Sequence, residues 1–200
     1  GAAACAIHAG GQELPMHDGR NDPGFNVHYS VEATPGRHTI GAQLYYEMFQ
    51  LWKVIPELPR PPLFYLKRRK YIADGEKAVM AAACSKFMNV ANGAGMCLFG
   101  LFLGAKRIPA FAWLNAATGW RKTPEEYLAI GAVIQNLKQD FNRRQGVDPR
   151  SFQVPDRVVG RPPQRRGANR GRTMDIEKMC DDYREQFGWD RQMGPPAGRG

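Results

Sequence analysis

The sequence predicts a mainly α-helical chain, an irregular set of helices joined by long loops. Three observations carry that class. Thr123-Pro124-Glu125-Glu126 places a cap hydroxyl, a proline at the first helical position and a glutamate at the third. Tyr127, Ile130, Ile134, Leu137 and Phe141 follow as an apolar stripe that stops at Gly146. A second run, from about Glu76 to Ala91, starts after Asp74-Gly75, is rich in Ala and Met, and carries Val79, Ala83, Phe87 and Val90 along one side. The proline- and glycine-rich stretches between such runs exceed ordinary connection lengths, which favours loops arranged around a ligand over an independent bundle.

In chain order, residues 1–14 are small and glycine-rich, with a short strand around Ala6 to Ala9. Residues 15–38 read as a long loop, because Pro15, Asp18-Gly19, Asp22-Pro23-Gly24 and Pro35-Gly36 are turn chemistry. His17, His28 and His38 fall there among Asp18, Asp22 and Glu32, a mixture suited to acid/base work or metal ligation. Each histidine taken alone reads equally as a hydrogen-bonded structural residue. Gly41 to Val54 turns helical, with Leu44, Tyr45, Met48, Leu51 and Trp52 on one stripe. Pro56, Pro59, Pro61 and Pro62 then force an extended connector, and Lys67-Arg68-Arg69-Lys70 reads as a solvated face. Pro109 starts a short helix through Phe111, Trp113 and Leu114 that ends at Thr118-Gly119. Thr173 caps a final helix with Ile176, Met179, Cys180, Tyr183 and Phe187 inward and Gly188 after it. The segments are therefore 1–146, largely helical, 147–172, an Arg/Pro/Gly-rich loop, and 173–200, a C-terminal helix and a fraying tail.

The 200 residues carry a formal charge of +9. Arg157, Arg161, Arg165, Arg166, Arg170 and Arg172 cluster with no acid between them. Such a run could follow phosphates, which makes an Arg-rich nucleic-acid-binding or scaffold protein the competing class. No aromatic residue interleaves it for base stacking, so a solvated, flexible loop is the preferred reading and a nucleic-acid partner is disfavoured. Cys5, Cys84, Cys97 and Cys180 are scattered, which argues against a zinc knuckle or a disulfide scaffold and for a reduced, cytoplasmic setting. The longest apolar run, Met96 to Ala105, is too short to cross a bilayer. The chain opens on glycine, which suggests a start inside a longer protein. No P-loop, dinucleotide fingerprint or serine elbow is present.

The chemistry centres on Val90 to Gly100. A helix-like run ends at Asn92, Gly93 and Gly95 free the backbone, and Cys97 follows as a soft, thiolate-capable side chain. These residues alone also allow a plain helix cap followed by an inert cysteine. Cys84 lies in the preceding helix, about 20 Å away along a continuous axis, so the two thiols cannot ligate one cluster.

Asn92-x-x-Gly95-Met96-Cys97-x-Phe99 resembles the Asp-x-x-Gly-Leu-Cys-x-Phe segment of the tungsten-containing aldehyde ferredoxin oxidoreductase family. His17-Asp18-Gly19-Arg20 through Gly36-Arg37-His38 is similar to that family's Tyr-Asp-Pro-Arg…Arg-Gly-x-x-His region. Leu114-Asn115-Ala116-Ala117-Thr118-Gly119-Trp120 resembles its Asn-Ala-Ala-Thr-Gly-Trp segment, and Asp182-Tyr183-Arg184 with Gly188-Trp189-Asp190 its terminal motif. The resemblance implies the C-terminal helical part of an oxidoreductase with a tungsten, or molybdenum, bis-pterin and a [4Fe-4S] cluster. It implies oxidation of a small aldehyde to the carboxylic acid, with electrons passing to ferredoxin or an electron-transfer subunit. A related branch reduces the ring of benzoyl-CoA with a similar catalytic subunit, an acyl substrate. The resemblance places the amides of Asn92, Gly93, Ala94, Gly95 and Met96 against the pterin and makes Cys97 the last cluster ligand. A cubane needs four thiolates, so the other three cysteines lie in a missing N-terminal portion. His38 falls near the family's active-site cavity, in a proton-transfer or substrate-orienting role. A homo-oligomer is compatible with this reading, and a membrane partner is not expected. Asn92 in place of aspartate and Gly19 in place of proline bear on the substrate more than on the cofactor class.

Overall fold

Capping residues decide most of the helix boundaries. The computed structural model describes residues 5–41, 50–55, 58, 72–102 and 106–189. Strands β1 (His8–Ala9) and β2 (Gln12–Glu13) form an antiparallel hairpin, and a 3-10 turn at Gly19–Asn21 leads into α1 (Pro23–Val31). There follow α2 (Leu51–Val54), α3 (Gly75–Gly93), α4 (Leu98–Phe102), α5 (Ala110–Thr118), α6 (Pro124–Arg144) and α7 (Glu177–Glu185). The mainly α class holds.

Helix α3 is central and packs against α1, α6 and α7. Its start is as expected, with Asp74 accepting from the Lys77 amide at 3.0 Å. Three neighbours leave it little open surface, so its buried side includes Ala78, Ala81, Ala82, Cys84 and Phe87. Small side chains let those neighbours approach. Val79, expected inside, is 49% exposed and lines an open groove with Leu128 and Ala129 of α6.

Helix α6 closes its capping box in both directions, Glu126 N to Thr123 Oγ1 at 3.3 Å and Thr123 N to Glu126 Oε2 at 2.7 Å. Its buried line is Tyr127, Gly131, Gln135 and Gln139, whereas the expected Leu137 and Phe141 are each 63% exposed. Gly131 explains the rotation. A Cβ there would collide with the Lys86 carbonyl, so α3 and α6 meet at backbone distance along that line.

Three further differences have local causes. Helix α1 lies inside the expected loop 15–38. Asp22 caps it by accepting from Gly24 N at 2.8 Å, with Pro23 in the first turn, and all nine helical residues are buried, which erases any amphipathic period. Gln50 has φ +50, so a helix cannot run unbroken from Gly41 to Val54; 42–49 lie outside the described residues, as do most of the proline connector and Lys67–Lys70. Thr173 does not cap α7. Met174 N bonds to Val159 O at 2.8 Å and holds that stretch against the loop, and Asp175 accepts from Glu177 N instead. Met179, Cys180, Tyr183 and Phe187 are buried as expected.

The arginine-rich segment is pinned at several points. Gly160 (φ +81) sits against the Arg172 carbonyl, Gly171 N bonds to Gln164 O at 2.9 Å, and Asn169 Nδ2 donates to Asp18 Oδ2 at 2.7 Å. The freely moving loop expected there is replaced by a folded one.

Two apolar clusters meet on α3, one around Leu51, Phe87, Phe111 and Tyr127, the other around Val27, Val31, Tyr183 and Trp189. Beside them lies Glu32, fully buried at the end of α1. Its carboxylate accepts from Ser85 Oγ on α3, from Gln135 Nε2 on α6 at 2.5 Å and from Tyr183 Oη on α7 at 2.9 Å, and stands 3.0 Å from His28 Nδ1. Burial pushes this carboxyl up, but His28, Ser85 and Tyr183 together hold it below its usual value. Burial and the Glu32 charge in turn push the Tyr183 phenol well up.

A lowered carboxyl stabilises the fold fully above its unfolded value near 4.5, and that contribution is lost as pH falls through the lower folded value. Glu32→Gln in the full-length protein should cost about 3–5 kcal/mol in urea titrations at neutral pH, since it leaves buried donors facing an amide. It should also flatten the acid limb of the stability curve. An unchanged acid limb would remove Glu32 from this role.

Candidate cofactor-binding site

Helix α3 delivers the chain to Gly93, and the turn that stops it is a Schellman motif. Met96 N bonds to Ala91 O at 2.8 Å and Gly95 N to Asn92 O at 3.1 Å, with Gly95 at φ +72. Ala94 N closes on Val90 O at 2.9 Å. This corrects one expectation. The amides of Ala94, Gly95 and Met96 are bonded to helix carbonyls, and those of Asn92 and Gly93 lie within the helix, so none is left to face a pterin. The turn instead presents the Asn92 side chain, the Cβ-free surfaces of Gly93 and Gly95, and carbonyl oxygens. Asn92, Gly93, Ala94 and Gly95 are exposed, and Met96 is half-buried against the first apolar cluster.

Cys97 follows, exposed, and its carbonyl accepts from Leu101 N at 3.1 Å to begin α4. Cys84 is buried inside the unbroken α3. Among the described residues no group of three or more His, Cys, Asp or Glu could hold a metal ion. Cys97 thus offers one soft ligand at an open surface, which fits a cluster completed from elsewhere.

The Asn115 to Trp120 segment is a clamp. Asn115 donates to Lys122 O at 2.9 Å and accepts from Lys122 N at 3.0 Å and from Tyr127 Oη at 2.8 Å. Thr118 Oγ1 donates to Leu114 O at 2.7 Å, and Gly119 (φ +75) turns the chain. One asparagine therefore ties the end of α5 to the start of α6.

His38 packs on His17, with ring centroids 4.3 Å apart, and both rings approach Phe25. Tyr29 Oη donates to His17 O at 3.1 Å. Burial and the neighbouring His17 hold His38 below the usual histidine value. His17 lines a cavity of about 590 Å³ with Asp18 and Arg20, whose side chains pair at 2.6 Å. The pairing of the two histidines was hidden in the sequence, because it depends on α1 folding between them. The described contacts set the 92–97 turn against α4 and α6, and the histidine pair against α1.

A sequence model described as aldehyde ferredoxin oxidoreductase, domains 2 and 3, matches residues 1–199. The chain belongs to the aldehyde ferredoxin oxidoreductase family. The tungsten-containing aldehyde ferredoxin oxidoreductase of Pyrococcus furiosus is 31% identical over 179 residues, covering 88% of this chain and 27% of that protein. Those of Pyrococcus abyssi and Thermococcus kodakarensis are 30% and 29% identical, again over 27% of their length. The chain thus spans about a quarter of these oxidoreductases and corresponds to a C-terminal portion of the family. Among the described residues no helix is long and apolar enough to cross a membrane.

Asn115→Ala should cost about 1–3 kcal/mol, because the Lys122 amide and carbonyl and the Tyr127 hydroxyl lose one shared partner. Hydrogen exchange at the Lys122 amide should accelerate while exchange in the middle of α3 stays slow. Equal acceleration at both would mean general loosening, not loss of a clamp.

Proposed function

We propose that this chain is the C-terminal part of a tungsten, or molybdenum, pterin and [4Fe-4S] enzyme that oxidises aldehydes to carboxylic acids and passes the electrons to ferredoxin. The observation that carries the reading is the Schellman turn that leaves Asn92 and the Cys97 thiol exposed together at the end of a rigid helix. Cys97 would hold one iron of the cluster, and Asn92, Gly93, Ala94, Gly95 and Met96 would form the wall against the pterin. When bound, these groups supply the two-electron chemistry. Overall, water adds its oxygen to the aldehyde carbon, the C–H bond breaks, and two electrons and three protons leave with the carboxylate.

The chain's own residues handle protons and position. His38 is held towards its neutral form by burial and by His17, so it can accept a proton at neutral pH. Asn92 carries no charge and offers both donor and acceptor to the pterin edge. The free thiols, buried in Cys84 and Cys180 and exposed in Cys97, suit a reducing cytoplasm.

The test is the full-length protein produced anaerobically with tungstate. It should carry tungsten and about four irons per chain and reduce an acceptor when given aldehyde. Cys97→Ala should lose the cluster iron and its electron paramagnetic resonance signal, whereas Cys84→Ala should keep both and lose about 1 kcal/mol of stability. Cluster loss in Cys84→Ala with retention in Cys97→Ala would overturn the assignment.

His38→Ala should lower turnover with metal content intact. In the wild type, activity should fall on the acid side only below the ordinary histidine value of 6.5. His17→Ala should move that limb to higher pH, because the repulsion that depresses His38 is gone. A limb that stays put in His17→Ala would separate the two rings functionally.

A further inference from the structure

A separate cavity of about 270 Å³ opens between α1, α7 and the loop at 153–161. It shares no lining residue with the cavity beside His17 and contains none of Asn92 to Cys97. Its buried end holds two polar atoms that the protein leaves unmet. Ser30 on α1 is 4% exposed, and its Oγ has no hydrogen-bond partner among the described residues. Arg184 on α7 donates from Nη1 to Asp181 Oδ1 at 2.6 Å, but its buried Nε has no partner there either. Desolvated groups of this kind cost stability until something bonds to them. Two of them in one cavity, from two different helices, call for an occupant that brings an acceptor to that end.

The exposed end is charged in both senses. Asp156, Arg161 and Glu177 lie there, and Asp156 stands 3.7 Å from Arg161, too far for a hydrogen bond. With Arg184 and Asp181, the lining has two guanidinium groups and three carboxylates, one negative charge in excess. Burial pushes the Cys180 thiol up to about 12, so its sulfur adds no charge. Val154, Val159 and Ile176 supply an apolar side. A simple anion would satisfy the Nε and the hydroxyl but face the surplus carboxylate. A simple cation would suit the carboxylates and leave the buried donors unmet. A molecule carrying a carboxylate and an ammonium group close together answers both ends.

We infer that this cavity binds a small free α-amino acid. Its carboxylate turns inward to Ser30 Oγ and Arg184 Nε, its ammonium outward to Asp156 and Glu177, and an aliphatic side chain lies along Val154, Val159 and Ile176. The volume sits just below the roughly 300 Å³ at which drug-sized pockets begin, which suits a ligand of that size. Because α1 and α7 each supply one inner contact, the ligand ties the two helices together. The inference does not rest on the redox reading, and its readouts need no turnover.

Calorimetric titration of the full-length protein tests it with three probes. These are L-valine, isovalerate, which lacks the ammonium group, and isobutylamine, which lacks the carboxylate. L-valine should bind about tenfold tighter than either or better, the gain expected of one further charge-assisted hydrogen bond. It should also raise Tm by mass action. Ser30→Ala should weaken L-valine about tenfold. Because that change deletes a buried hydroxyl with no partner, Tm without ligand should stay level or rise, which separates lost binding from lost folding. Arg184→Lys keeps a positive charge beside Asp181 but has no Nε, so it should weaken L-valine and isovalerate alike. Glu177→Gln, at an exposed position, should narrow the gap between L-valine and isovalerate without weakening isovalerate. No binding of L-valine, or equal binding of L-valine and isovalerate, overturns the inference. L-valine binding that Ser30→Ala and Arg184→Lys both leave unmoved lies elsewhere on the protein and overturns it as well.

Discussion

A carboxylate with no exposure to water is tolerable only when its lone pairs are met, and Glu32 meets that demand by collecting side chains from α1, α3, α6 and α7. The network extends further. Asn89 donates to Gln135 at 3.2 Å and accepts from Lys138 Nζ at 2.5 Å, carrying the polar seam out to the edge of α6. Because one charged group must satisfy donors on several helices at once, it fixes their relative rotation more tightly than apolar packing does. The unexpected face of α6 follows from this. Gln135 has to point at Glu32, so Leu137 points away.

That constraint also explains which parts of the fold were legible. Helix ends written in local chemistry could be read directly: the Thr123 capping box, Asp74, Gly119 and Gly146 all act where their neighbours in sequence say they should. Helix faces could not. Apolar periodicity placed Val79, Leu137 and Phe141 inside, while a glycine at backbone contact and a buried glutamate settled the matter through residues far apart in the chain. Helix α1 was missed for a related reason. Asp22-Pro23 is both a turn signal and a helix start, and a helix buried on every side has no polar face to reveal its period.

The helix end at the glycine-rich turn was legible in outline. The glycines and Cys97 stand where the motif puts them, on an exposed turn. The direction of the backbone donors was not, because a Schellman turn turns them inward to the helix. The histidines show the opposite case. Nothing in the residues between His17 and His38 announces that the two rings touch; a helix had to fold between them first. The arginine segment, read as free, is held by Asn169 and by glycines that admit close carbonyl contact, features that carry meaning only once Asp18 and Val159 are nearby.

Gly131 has a mechanical consequence as well as a steric one. Helices that pack through side chains can slide by an ångström or two as rotamers adjust, which is how many proteins accommodate a ligand. Where a glycine lies against the Lys86 carbonyl there are no rotamers to adjust, and the neighbouring backbone blocks travel. Helices α3 and α6 therefore behave as one stiff bar, and the turn bearing Cys97 rides on its end. Any rearrangement of the surrounding segments therefore leaves the spacing of these two helices at that contact unchanged.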